Sequence, residues 1–142
     1  MAFVLAVSGD RAGARARAEQ ALPALKADLE KKPSATIWSG LSAVYILQGN
    51  REEALRCARK AMELVPEAND AVSGPGFSAL YGSALAWLGD KEAALAELAR
   101  LLRTPYGENI YQAKYGTNWF PLRGDPRFEA LVNDPKNNAP MP

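Results

Sequence analysis

Residues 34–66 read SATIWSGLSAVYILQGNREEALRCARKAMELVP, and this stretch decides the fold. Ser34 is a residue type that caps helices. The apolar residues from Ile37 to Leu47 then read as one helix. Gly49 ends it, because glycine tolerates the left-handed conformation that closes a helix. Asn50 caps the next helix, and Glu53 three residues on completes the pattern of a capping box. Beyond it Ala54, Leu55, Ala58, Ala61, Met62 and Val65 share one face, with Arg56, Arg59, Lys60 and Glu63 on the other. Pro66 stops this second helix. The unit is a helical hairpin.

The turn inside that hairpin occurs three times at a spacing of forty residues, as Ser8-Gly9-Asp10-Arg11, Gln48-Gly49-Asn50-Arg51 and Leu88-Gly89-Asp90-Lys91. Ala14, Ala54 and Ala94 follow in register, as do Ala18, Ala58 and Leu98, and then Ala21, Ala61 and Leu101. A fixed period of this size marks a stacked repeat protein, which presents a surface rather than a catalytic pocket. In the third unit, residues 66–76 form a connector with Pro75 suited to a helix's first turn. A helix follows over about 76–88, and a second, capped by Asp90, runs to about Arg103 with Ala94, Leu95, Leu98, Leu101 and Leu102 buried. The first unit has only residues 2–8 before Gly9, then a long helix from Asp10 to about Lys31 that Pro23 is expected to kink. Half a leading helix suggests a fragment of a longer chain, or an open end that another element covers.

After Pro105 the helical period fails, and Tyr106, Tyr111, Tyr115, Trp119, Phe120 and Phe128 crowd together. Asp125 caps a short helix with Pro126 in its first position and Phe128, Leu131 and Val132 on its apolar face. Repeat arrays need such an atypical terminal element to cover their last hairpin. A sharper alternative makes Tyr111, Tyr115 and Trp119 the rim of a pocket at the array's end. The expected fold is all-α: a short solenoid of about 2.5 antiparallel hairpins (about 2–31, 34–65 and 76–103) with an aromatic-rich cap over 105–132. Residues 1–132 form one domain, and 133–142 a loose tail.

Composition narrows the chemistry. The chain has 142 residues, net charge +1 and 48% hydrophobic residues, with no apolar run approaching the ~18 residues of a membrane helix. The apolar start lacks a basic leader, and interleaved charges give no footprint for nucleic acid. Cys57 is the single cysteine, which excludes an internal disulfide and suits a reducing cytoplasm. There is no histidine, so the usual general base and commonest metal ligand are missing. Glu52 and Glu53 complement a helix dipole. Arg11, Arg15 and Arg17 read as a solvated face, and Gly74-Pro75-Gly76 reads as a turn. Cys57 lies near Arg56 and Arg59, which would lower its pKa, yet a semi-buried helix residue describes it better. No enzyme, cofactor or metal site is expected.

Trp38-x2-Leu41-Ser42-x2-Tyr45, then Ala54-x3-Ala58, then Pro66, resembles the tetratricopeptide repeat pattern W-x2-L-G-x2-Y…A-x3-F…P. The third unit is a looser version, with Ser78, Tyr81, Gly82, Leu85, Ala94 and Leu98. Ser42 replaces a glycine, Ala58 and Leu98 replace an aromatic, and the forty-residue period exceeds the family's 34. A narrower resemblance rests on Asp70–Gly76, Leu101–Pro105 and Trp119–Phe128. It is to the C-terminal tetratricopeptide region of bacterial multidomain signalling proteins, where repeats follow a serine/threonine kinase, adenylate cyclase or winged-helix regulatory domain. Gly116-Thr-Asn-Trp119-Phe120-Pro121 departs from that family's first Asp-Pro turn. The resemblance implies a protein-interaction module, docking a partner protein or peptide on the concave groove or the open first hairpin. By the family's register the groove residues are Thr36, Ser39, Ala43, Ile46, Leu47, Ala79, Ser83, Ala86 and Trp87. They hold no Lys, Arg or Asn, which disfavours acidic tails and suits an apolar segment. Trp87 is either an interface anchor or is covered by the closing segment. A ligand-sensing module enclosing a small apolar molecule is the alternative. Self-association through the first hairpin is compatible with either.

Overall fold

Six helices form the array: α1 (Ala2–Val7), α2 (Arg11–Lys31), α3 (Ala35–Gln48), α4 (Arg51–Leu64), α5 (Gly74–Trp87) and α6 (Lys91–Leu101). The computed structural model describes residues 2–138 and shows no strand among them. Successive helices pack as neighbours, and α3 also touches α5, so that the leading helices of two hairpins stand side by side.

The repeated turn is one piece of backbone chemistry built three times. Gly9, Gly49 and Gly89 have φ of +94°, +74° and +88°, values that carry a steric penalty for any residue with a Cβ. Each glycine N–H donates to the carbonyl three residues back, at Ala6, Ile46 and Ala86. The N–H after it donates five back, to Leu5, Tyr45 and Leu85, each at 2.9 Å. This is the Schellman closure of a helix. The side chains of Asp10, Asn50 and Asp90 then accept from the N–H of Gly13, Glu53 and Ala93 and open the next helix, each such cap stabilising it by about 1 kcal/mol. The chain reverses so tightly that Ala14, Ala54 and Ala94 lie against the preceding helix, at most 1% exposed. The capping box expected at Glu53 does not close. The Asn50 N–H is already taken by Tyr45, and the Glu53 carboxylate turns to Arg56 at 2.7 Å. Arg51 of one turn donates to the Leu88 carbonyl and to Asp90 of the next, at 3.1 and 3.2 Å.

The forty-residue period is kept by two different means. In the first repeat α2 runs 21 residues, through Pro23, and only 32–34 separate it from α3. In the second, α4 has 14 residues and the surplus lies in the connector 65–73. There Asp70 Oδ1 accepts from Val72 and Ser73, which holds its carboxyl below the usual carboxylate range. Gly74, Pro75 and Gly76 belong to the first turn of α5 rather than to the turn expected there.

The closing segment holds more helix than expected. Asn109 caps α7 (Ile110–Tyr115), which is followed by a 3-10 turn over Phe120–Leu122 and by α8 (Pro126–Asn133) with the expected cap and apolar face. One turn, α9 (Pro135–Asn138), stands in the stretch expected to be loose; 139–142 lie outside the described residues. Trp119, Leu122, Phe128 and Val132 join Leu85, Leu95, Leu98 and Leu101 in one core. Gly82 on α5 leaves the space that the Trp119 ring fills.

Candidate functional site

The leading helices α1, α3 and α5 contribute the same repeat position, Phe3, Ala43 and Ser83, to a cavity of about 210 Å3 that opens to solvent. Ser39, Ser42 and Ile46 of α3, Ala58 of α4, Leu80 of α5 and Asn118 of the closing segment complete its lining. None of these side chains is charged. Ser42 Oγ donates to the Ala54 carbonyl at 2.8 Å across the hairpin, as a small residue must to let α3 and α4 approach. Ser39 Oγ is buried and has no hydrogen-bond partner. A buried hydroxyl in that state costs about 1–3 kcal/mol.

Four of the residues expected in the groove therefore meet at this cavity: Ser39, Ala43, Ile46 and Ser83. Thr36 is exposed and Leu47 half-buried, both outside it, while Ala79 and Ala86 are buried within the packed array. Trp87 is not free. Its Nε1 donates to the Thr117 carbonyl at 3.1 Å, Phe120 stacks on it at 6.1 Å, and Phe3 meets its ring edge-on at 4.9 Å. The closing segment and α1 thus cover it from two sides. Of the three aromatics expected at a pocket rim, Tyr111 and Tyr115 are a solvent-exposed pair 5.0 Å apart on α7. Trp119 is wholly buried, its Nε1 donating to Glu108 Oε2 at 2.6 Å, and forms no rim. Phe3, Leu80 and Asn118 were not among the residues expected here. Phe3 was within reach, since it lies one period before Ala43.

Burial pushes the Cys57 thiol up, and this outweighs the neighbouring Arg56 that the sequence suggested would lower it. Arg56 holds the Glu53 carboxyl below its ordinary range. Arg15 pairs with Glu19 at 3.1 Å on the outer face, and Arg11 and Arg17 are exposed there. Arg100 clasps Glu67 of the connector and Glu97 of its own helix, each at 2.7 Å, which depresses the Glu67 carboxyl, as does a hydrogen bond from Ser78. No cluster of three His, Cys, Asp or Glu able to hold a metal occurs among the described residues.

Stacked antiparallel hairpins, a lined inner face and a capped end define a helical-repeat protein. Residues 35–68, which span α3, α4 and the start of the connector, match the sequence model of the tetratricopeptide repeat. No curated protein and no solved structure matches the chain. No helix among the described residues is long and apolar enough to cross a membrane.

Proposed function

We propose that this chain is a non-catalytic protein-interaction module whose inner face docks a partner protein or peptide. The observation that carries this reading is the convergence of Phe3, Ala43 and Ser83, one position from each of three leading helices, on a single uncharged cavity open to solvent. Tetratricopeptide repeats generally mediate protein–protein interaction, and the middle hairpin matches that family. The resemblance of the closing motif to bacterial signalling proteins makes an attached or separate signalling domain the partner class to test first.

The test is a crosslinking capture from the native host with wild type, Leu80→Glu at the cavity, and Arg15→Glu on α2. Leu80 is 39% exposed, so the variant is expected to fold. Loss of captured proteins with Leu80→Glu, and retention with Arg15→Glu, supports the reading. A captured set that Leu80→Glu leaves unaltered defeats it.

A further inference from the structure

We infer that Trp87 is a latch: it holds α1 and the closing segment shut over the inner face, and the two open together rather than independently. This is a property of the chain alone and does not rest on the docking reading.

The cavity has two kinds of wall. Ser39, Ala43 and Ile46 stand on α3 and Ser83 on α5, helices that pack on one another within the array. Phe3 and Asn118 are held differently. The helix that carries Phe3, α1, buries none of its residues, whereas α3 buries four and α5 nine. Asn118 lies in residues 116–119, which are neither helix nor strand, between α7 and the 3-10 turn. Segments with few buried contacts are the ones that open while the rest of a fold stays closed.

Both movable walls hang on one side chain. Phe3 meets the Trp87 ring edge-on at 4.9 Å. Thr117, next to Asn118, accepts from Trp87 Nε1 at 3.1 Å, and Phe120 stacks on the same ring at 6.1 Å. Arg123 joins this part of the closing segment into one loop. Its Nη2 donates to the Gly116 carbonyl at 2.6 Å, and its guanidinium lies 5.0 Å over Phe120. Trp119, wholly buried and bonded to Glu108, is the pivot of the loop rather than part of the latch.

The pose of the Trp87 ring serves both sides. With Phe3 gone the indole has room to turn, and turning takes its N–H off the Thr117 carbonyl and its face off Phe120. With Phe120 and Thr117 gone, the same freedom removes the edge that Phe3 packs against. Contacts that share one side chain in this way couple instead of adding.

The test is hydrogen exchange in the 15N-labelled full chain, read at bonds on each side of the latch. The amides of Ser8 and Asp10 donate to the carbonyls of Val4 and Leu5 in α1, the amide of Arg123 donates to Phe120, and the Trp87 indole donates to Thr117. The Ala54 amide, donating to Asn50, and the Trp119 indole report on the rest of the fold. Phe3→Ala should speed exchange at Arg123 and at the Trp87 indole by at least about fivefold, the lower end of ordinary coupling between sites. Phe120→Ala should do the same at Ser8 and Asp10. The Ala54 amide and the Trp119 indole should hold their rates in both variants. In a Trp87→Leu background, Phe3→Ala should no longer alter Arg123. Phe3→Leu keeps apolar bulk in the cavity wall but loses the ring edge, so it should reproduce the pattern where Phe3→Ala folds poorly. Effects confined to the substituted side, a rise shared by Ala54, or a cross-effect that survives Trp87→Leu overturns the inference.

Discussion

Two glycines on α5 should respond in opposite directions to the same substitution. A Cβ built at Gly82 would lie 2.5 Å from Cη2 of Trp119, 3.2 Å from its Cζ3 and 3.1 Å from Cγ of Glu97. The indole cannot retreat, because it is wholly buried and tied to Glu108 at 2.6 Å. A Cβ at Gly76 meets nothing within 4 Å. Neither glycine has a positive φ, so alanine gains about 0.5–1 kcal/mol of helix preference at each. At Gly82 the forced repacking costs about 1–3 kcal/mol and outweighs that gain. Gly76→Ala should therefore stabilise by up to about 1 kcal/mol, and Gly82→Ala should destabilise by about 0.5–2. In a domain of this size that is roughly 3–5 °C in Tm per kcal/mol, measurable by thermal and urea unfolding. Trp119→Phe removes the benzo edge that Gly82 accommodates, so in that background Gly82→Ala should lose most of its penalty. The coupling expected in the double-mutant cycle is about 1 kcal/mol or more. Gly82→Ala matching Gly76→Ala in sign, or additivity in the cycle, would refute the close-approach argument.

Three further outcomes are expected. Ser42→Ala removes the bond to the Ala54 carbonyl and should cost about 1 kcal/mol in urea unfolding, whereas Ser39→Ala should be neutral or stabilising because its hydroxyl has no partner; equal effects would contradict the assignment. The Asp125 carboxyl is drawn down from 3.8 to about 2, chiefly by its hydrogen bonds from the Arg127 side chain and backbone. A depressed carboxyl stabilises the fold fully above its unfolded value and loses that contribution as pH falls through the folded one, so Asp125→Asn should flatten the decline in Tm between about pH 4 and pH 2. Cys57 is buried with its thiol pushed up, so a thiol reagent should label it at the rate of opening in native buffer and at once in denaturant; rapid native labelling would show an open α4 face.

Legibility in the sequence followed the range of the forces involved. The three turns could be read because glycine, a capping residue and an alanine fix them within seven residues, and the structure builds all three alike. The capping box was a local pattern that lost to another local bond, the Asn50 N–H serving the helix before it rather than the helix after. The aromatic cluster announced burial but not its partners. Nothing near Trp119 in sequence shows that it fills the space at Gly82, 37 residues earlier, while the aromatic Tyr111 and Tyr115 of the same segment remain exposed. The six-residue α7 escaped notice because it is too short to show a period. Four of nine expected groove residues line the cavity, since register fixes which face a residue shares but not how deeply its neighbours cover it.

The cavity itself owes more to sequence divergence than to the fold. Phe3, Ala43 and Ser83 hold one position in three repeats, large, small and small. Three residues of phenylalanine's volume would fill the space, and three alanines would leave α1 without its contact to Trp87. Phe3 reaches past the cavity to Trp87, on which Phe120 of the closing segment also stacks. Trp87 therefore ties the first helix to the closing segment on the inner face, and the two small residues beside it leave the opening. The indole holds the cavity's borders in place, and the opening is the uncharged space that Ala43 and Ser83 leave between them.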